Sequence, residues 1–376
     1  MTHYFDLIYN SILFLITAFA GYSLFTTINN LLSAPILKTN REVESLRGKS
    51  SKVSILIPAR NEEKNIADCL NSVFNQSYRN IEVLVLNDNS EDGTENILQD
   101  FAKKHDNFGF FNGSQLPEGW LGKNFACSTL SKNASGDYFL FIDADVRLEK
   151  TAVESALYLV KKNNLSLLSL FPTQKIKGFG TFLVIPLMNW LLLNFLPLNQ
   201  VFKSKNQKFV AANGQFMFFE RESYFSLGGH DSVKDKIVED MELARSVKSA
   251  NLNLMTLLGG NLVFCNMYSS FTEGLNGFSK NFYPGFNISA ATFLLMILVF
   301  FLVNIFPFFL IYVDLLFLIP LIMIMISKLI IAKLSHFNIF LSLLLHPVHI
   351  AIMLFTGVKS VILTKKRKLV WKGRNL

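Results

Sequence analysis

Cysteine is nearly absent: Cys69, Cys127 and Cys265 stand far apart in a chain of 376 residues. An odd, scattered set supports neither a disulfide framework nor a zinc site, and it points to a reducing, cytosolic side. Charge is scarce as well. Asp, Glu, Lys and Arg make up 17% of the chain and hydrophobic residues 51%, a balance that excludes a wholly soluble protein and requires part of the chain to lie in a membrane. The little charge present leans basic, with a formal net of +8. Its Lys and Arg residues flank apolar segments rather than alternating with a stacking platform, which argues against nucleic acid and for anionic lipid headgroups.

The apolar runs set the expected organisation. Residues 7–32 are long and apolar enough for one spanning helix. No positive charge precedes them, as a cleaved signal would require, so they read as an anchor. Lys38, Arg41, Arg47, Lys49 and Lys52 follow, which places that side in the cytoplasm. Ala290–Phe309 and Ile311–Ile331 read as a hairpin of two spanning helices, with Asp314 near the turn. Residues 337–363 are apolar but contain His346-Pro-Val-His349, and a re-entrant or interfacial pair broken at Pro347 would keep the basic tail inside. Residues 178–200, interrupted by Pro186 and Pro197 and flanked by lysines, suit a helix floating at the interface. The expected division is a membrane anchor at 1–35, a catalytic domain at 50–285 that includes the interfacial helix, C-terminal membrane helices at 286–364, and a basic cytoplasmic tail at 365–376.

Between the apolar ends, short apolar strands alternate with helical segments. That is the pattern of an α/β domain with an open sheet flanked by helices, whose ligands bind beyond the carboxyl ends of the strands. Phe141-Ile-Asp-Ala-Asp-Val146 closes an apolar run with two acids one residue apart, Asp143 and Asp145. On a strand they would point the same way and suit Mg²⁺ or Mn²⁺ carrying a diphosphate. Taken alone, the tripeptide also fits a solvated loop. The first strand ends in Pro58-Ala-Arg-Asn-Glu-Glu63, with Asn61 a candidate helix cap, and the second ends in Asn87-Asp88. Glu62 and Asp88 could accept bonds from a ribose or base, or could merely cap helices.

Lys123 follows Pro117-Glu-Gly-Trp-Leu-Gly122 and opens a helix, where a cation opposes the macrodipole and implies an anion nearby. Further on, Gly214 leads a strand at Ala212–Phe219, Gly228-Gly-His230 either stops a helix or brings His230 into the cleft, and Glu239-Asp240 begins another helix. Those acids suit the helix dipole, and Asp240 equally suits a general base.

Taken in order, Pro58–Glu63, Asp88–Thr94, Asp143-Ala-Asp145, Gly228-Gly-His230 and Glu239-Asp240 resemble the membrane-bound family 2 glycosyltransferases over nearly the whole chain. Trp120-Leu-Gly-Lys123, Met267-Tyr268, Gly277-Phe-Ser-Lys280 and Trp371-Lys-Gly-Arg374 resemble more particularly the carotenoid (diaponeurosporenoate), hopanoid and ceramide glycosyltransferase branch. The resemblance implies a GT-A fold, a UDP-linked donor such as UDP-glucose, a divalent metal, inversion at the sugar carbon and a lipid acceptor. It implies a multi-pass protein of the cytoplasmic membrane whose catalytic domain faces the cytosol. By position it carries donor contacts to Pro58, Glu62, Asp88, Lys123, Asp143 and Lys280, with Arg374 a weaker candidate. It carries metal ligation to Asp145 with Asp143, acceptor-side or supporting roles to Gly214, Gln215, His230 and Glu239, and the base to Asp240. The Gln-x-x-Arg-Trp motif of processive relatives is missing, which implies single transfer. Rival readings are a polyprenyl-phosphate or glycolipid glycosyltransferase of cell-envelope synthesis, and a membrane-anchored nucleotidyltransferase.

Overall fold

The computed structural model describes residues 2–39, 51–366, 370–371 and 374–375; Arg41, Arg47 and Lys49 of the basic stretch lie outside them. The chain forms two compact units, each assembled from separate stretches. Met1–Ala34, Ile176–Pro197 and Tyr268–Leu369 make one, and Pro35–Lys175, Leu198–Met267 and Val370–Leu376 make the other.

The second unit is the expected α/β domain. Its strands are β1 (Val53–Ala59), β2 (Ile81–Asn87), β3 (Phe108–Asn112), β4 (Tyr138–Ile142), β5 (Val146–Leu148), β6 (Leu167–Phe171), β7 (Thr173–Gln174), β8 (Phe216–Glu220), β9 (Leu254–Leu258) and β10 (Val263–Cys265), with a small hairpin β11 (Val370–Trp371) and β12 (Arg374–Asn375). Seven of them form an open mixed sheet in the order β3-β2-β1-β4-β8-β6-β9, and β5-β10-β7 form a smaller one. Ile55, Leu56 and Ile57 of β1 are all fully buried, the mark of a strand covered on both faces by helices. The unit's core is apolar and mostly aliphatic, with Val83, Val85, Leu140, Ile142 and Leu168 joined by aromatic Phe216 and Phe218.

Register builds the functional edge. β2, β1 and β4 run parallel, with Ala59 opposite Asn87 and Leu56 opposite Phe141, so their carboxyl ends open on one side. β8 runs antiparallel to β4 and starts there, with Phe216 opposite Ile142. The residues just before β8 therefore lie beside those just after β4.

Three local expectations are corrected. The strand expected at Ala212–Phe219 begins only at Phe216, because the Gln215 N–H is drawn to Asn213 Oδ1 (2.9 Å) and the Gly214 N–H to Asp240 Oδ2 (2.8 Å). Asn61 does not cap the helix Ile66–Phe74, which starts after Asn65 without a side-chain cap. Instead Asn61 sits at φ +52 and accepts the Glu91 N–H at 2.8 Å, tying the β1 turn to the β2 turn. Pro347 breaks nothing: it stands at the start of one continuous helix, His346–Lys365, where its missing N–H would have had no helical partner.

The first unit is helical. Asp6–Ser33, Ala290–Leu310, Leu315–Leu334 and His346–Lys365 are long and apolar enough to cross a membrane, and Phe179–Phe195 is apolar but shorter. Phe14, Leu295, Phe309 and Phe355 point outward, each more than half exposed, as expected of side chains that meet lipid rather than water. Polar pairs join the helices inside. Asn30 donates to the Leu193 and Leu196 carbonyls at 3.1 and 2.9 Å, and Tyr9 donates to Asp314 at 2.6 Å.

Candidate active site

Each strand end contributes a group to the opened edge. Beyond β4 the chain turns at once, with the Val146 N–H bonded to the Asp143 carbonyl at 3.1 Å. Asp143 and Asp145 thus stand in a turn, and strand alternation is not what brings them together. Both carboxylates act electrostatically on Cys69 and Cys265, which places them in one neighbourhood. Asp143 is gripped by Lys123, whose Nζ lies 2.8 Å from Asp143 Oδ1 and 3.1 Å from Glu239 Oε1. The anions that the helix-opening lysine required are the protein's own. They hold its ammonium well above the ordinary lysine range despite burial, which pulls the other way.

Asp240 stands beside this pair in the first turn of the helix Glu239–Ser249. Its Oδ2 accepts from Gly214 N at 2.8 Å and its Oδ1 from Met241 N at 2.7 Å. Two N–H donors and Lys123 favour the carboxylate, but exclusion of water and the neighbouring Glu239 charge prevail, and its pKa is pushed up to about 6. Gly214 is needed here for space. A Cβ on it would stand 2.9 Å from Lys123 Nζ and 3.1 Å from Glu239 Oε1.

Pro58, Lys123, Asp143, Gly214, His230 and Glu239 line a common cavity. His230 is 2% exposed and packs its ring 4.9 Å from Phe141, with Nδ1 2.8 Å from the Tyr224 hydroxyl. Burial, helped by Lys123, lowers its pKa to about 3, so it is a neutral wall of the cavity. The preceding glycines are conformational necessities. Gly228 and Gly229 sit at φ +80 and +50, and a Cβ on Gly229 would fall 2.5 Å from the Tyr224 ring. Gln215 is buried and donates to Cys265 Sγ at 3.0 Å while its carbonyl accepts from Asp143 N at 3.4 Å, so it supports the acid turn. The three cysteines are buried. Burial pushes Cys69 up to about 12 and raises Cys127 and Cys265 too, which leaves no thiolate nucleophile.

The β1 and β2 turns form the other flank. Glu62 accepts from Asn65 Nδ2 at 3.0 Å, Asp88 is 6% exposed, and Asp92 and Thr94 bind the Glu63 and Glu62 N–H groups at 3.1 and 2.9 Å. Arg60 was overlooked in the sequence. It is 8% exposed, and its Nη1 donates to the Asp88 and Asn89 carbonyls at 2.7 and 2.9 Å, pinning the turn that carries Asp88. The available signal was a lone arginine set between a buried strand and a run of acids. Lys280 lies on the helix Phe271–Phe286 of the helical unit, and Arg374 lies in β12.

Among the described residues no three His, Cys, Asp or Glu side chains form a closed metal cage. The donor set nevertheless suits a hard cation that keeps most of its shell for phosphate and water. Asp143, Asp145, Glu239 and Asp240 bring four carboxyl groups to the region against the Lys123 ammonium. A diphosphate could approach them only with further positive charge.

Residues 54–224 match the family model described as Glycosyl transferase family 2. That stretch is similar to a family 2 glycosyltransferase domain. That domain spans β1 through β8 and contains every strand end described above. In a comparison of whole chains, this one is 25% identical over 253 residues to the 4,4'-diaponeurosporenoate glycosyltransferase of Staphylococcus haemolyticus (strain JCSC1435), covering 66% of each chain. It is 28% identical over 250 residues to the protein of that name from Staphylococcus aureus (strain bovine RF122 / ET3-1), covering 65% of this chain and 64% of the relative. The chain thus matches just under two thirds of these relatives' length. The glycosyltransferase fold is also similar to a solved mannosyltransferase, PcManGT from Pyrobaculum calidifontis in complex with GDP-Man and Mn²⁺, with TM-score 0.53, 14% identity, and coverage of 93% of this chain and 99% of that one. The GT-A class expected from the sequence is the class of the fold.

Proposed function

We propose that this protein is an inverting, single-transfer hexosyltransferase of the cytoplasmic membrane, moving glucose from UDP-glucose to a lipid acceptor at the cytosolic side. The observation that carries this reading is the state of Asp240, a carboxyl held by two backbone N–H groups, poised near pH 6 and set beside the Lys123–Asp143–Glu239 cluster. A base for an acceptor O–H should titrate close to working pH and sit where the sugar carbon can be reached.

In the reaction, Asp240 takes the proton of the acceptor O–H as that oxygen bonds to the sugar carbon. The bond from that carbon to the diphosphate oxygen breaks on the opposite face, and nucleoside diphosphate leaves with the electron pair. Lys123 places an ammonium where leaving-group charge develops, a preorganised contribution that is commonly the largest in such catalysis. Asp88 and Glu62, held by Arg60 and Asn65, are positioned for the nucleoside. A divalent ion, Mg²⁺ or Mn²⁺, on Asp145 and Asp143 would neutralise the donor diphosphate when bound.

Purified protein in detergent, given UDP-[¹⁴C]glucose, MnCl₂ and a lipid extract, should yield a labelled lipid by thin-layer chromatography. Chelation by EDTA should abolish it. Label that stays water-soluble with every nucleotide sugar tried, or nucleotide transfer in place of sugar transfer, would overturn the reading.

A further inference from the structure

The helical unit holds a group of buried nitrogen side chains that glycosyl transfer does not use. Lys328, on the helix Leu318–Leu334, is 2% exposed and has the Trp190 ring as its neighbour, with Nζ 5.3 Å from the centroid. His346 is fully buried, lies 5.8 Å ring to ring from the same tryptophan, and neither of its ring nitrogens is hydrogen-bonded. The Asn304 backbone is near it but outside hydrogen-bond geometry. His349 is fully buried too. Its Nε2 bonds to the Phe182 carbonyl at 3.1 Å, and its Nδ1 is unanswered. Lys328 is the charge that both imidazoles feel.

Among the described residues no acid of this unit is paired with this group. The acids in this unit's sequence are Asp6, Glu273 and Asp314. Asp314 is taken by Tyr9 and by the Leu316 N–H, and Glu273 by Ser269. An ammonium kept from water without a counter-charge is strongly unfavourable, and within membrane helices such a residue marks a functional site. The electropositive start of the 20-residue helix His346–Lys365 adds to the same field. Lysine, two imidazoles with open nitrogens and a helix N-terminus together make an anion site. The unit's only arginine in sequence is Arg367 of the tail, so a bidentate guanidinium clamp for phosphate is missing from the cluster, and one ammonium matches one negative charge. Phe182 and Trp190 supply apolar walls.

We propose that Lys328, His346 and His349 bind the carboxylate headgroup of a long-chain lipid within the helical unit. The site is independent of the glycosyl-transfer reading, and its test uses no nucleotide sugar. Delipidated full-length protein in detergent is titrated with oleic acid, oleyl alcohol, sodium acetate and dioleoylphosphatidylglycerol, and binding is read by native mass spectrometry at pH 7.5. Oleate should bind once per chain, at least tenfold tighter than oleyl alcohol, with acetate and phosphatidylglycerol weaker still. Lys328→Met should weaken oleate at least tenfold and leave oleyl alcohol unchanged, while Lys328→Arg should keep most of the affinity. Equal binding of oleate and oleyl alcohol would overturn the proposal. So would acetate binding as tightly as oleate, which would indicate a free-anion site, or a preference for phosphatidylglycerol. Should Lys328→Met fail to fold, the wild-type comparison of the four probes decides.

Discussion

Asp240 links catalysis to stability in a way that can be measured twice. Its carboxyl is displaced from an ordinary 3.8 to about 6, chiefly because water is excluded and Glu239 lies beside it. At 1.36 kcal/mol per pH unit, keeping it ionised at neutral pH opposes folding by about 3 kcal/mol. The folded pKa lies above the unfolded one, so this contribution favours the fold below pH 3.8 and is lost as pH rises through about 6. D240N removes the titration. Its changed hydrogen bonds to Gly214 and Met241 are the same at every pH, so they cancel when the wild-type-minus-variant difference is compared between pH 4 and pH 7. Across that window wild type should lose about 2.4 kcal/mol relative to D240N, or roughly 5–10 °C in melting temperature for a domain of 150–250 residues. Tryptophan-fluorescence melts in detergent would read it. The same ionisation sets activity: the base form falls from about nine tenths at pH 7 to about one tenth at pH 5, so kcat/KM should drop about tenfold. D240N should lose about 10²–10⁴-fold in transfer while still binding donor. A pH-independent stability difference, together with a flat rate profile from pH 5 to 7, would refute the reasoning.

Lys123→Met should cut transfer by roughly 10²–10³-fold, as loss of a preorganised donor does elsewhere. It should also raise the Asp240 pKa, moving the acid limb of the rate profile to higher pH, because Lys123 holds that pKa down. Gly214→Ala should leave the fold within about 1–2 kcal/mol, since the atoms it meets are the ends of flexible side chains, yet raise KM for the donor several-fold as Lys123 and Glu239 are pushed aside. Thermal melts and donor titrations separate the two effects. Arg60→Ala strands the Asp88 and Asn89 carbonyls and should lower stability by about 2–3 kcal/mol by urea unfolding, with weaker donor affinity.

Much of the architecture was legible in the chain. The apolar runs around 7–32 and 290–331 announced helices of spanning length, and Val53–Ile57, Ile81–Leu86 and Phe139–Ile142 announced buried strands, because burial on both faces leaves no polar alternation. β3, β9 and the β5-β10-β7 sheet were not read. They are short, and β9 alternates buried and half-buried residues in a stretch opened by Asn251 and Asn253, so its strand character comes from pairing with β6. Pro347 misled for a related reason: proline limits the residues before it in a helix, and whether it breaks or begins one depends on where the helix starts.

By itself the sequence determined which groups were on offer: an acid pair after a buried strand, a lysine opening a helix, glycines at tight turns, and an acid in a helix's first turn. Only the tertiary structure decided whom they meet. Antiparallel pairing of β8 with β4 sets Gly214 beside Asp143, and the resulting closeness turns Lys123 toward Asp143 and Glu239 and tunes Asp240. The same holds for Lys328, His346 and His349, whose shared burial no spacing along the chain could reveal. Residue type is local chemistry, whereas a pKa, a bridging ammonium or an unanswered charge depends on distances that exist only once the chain has folded.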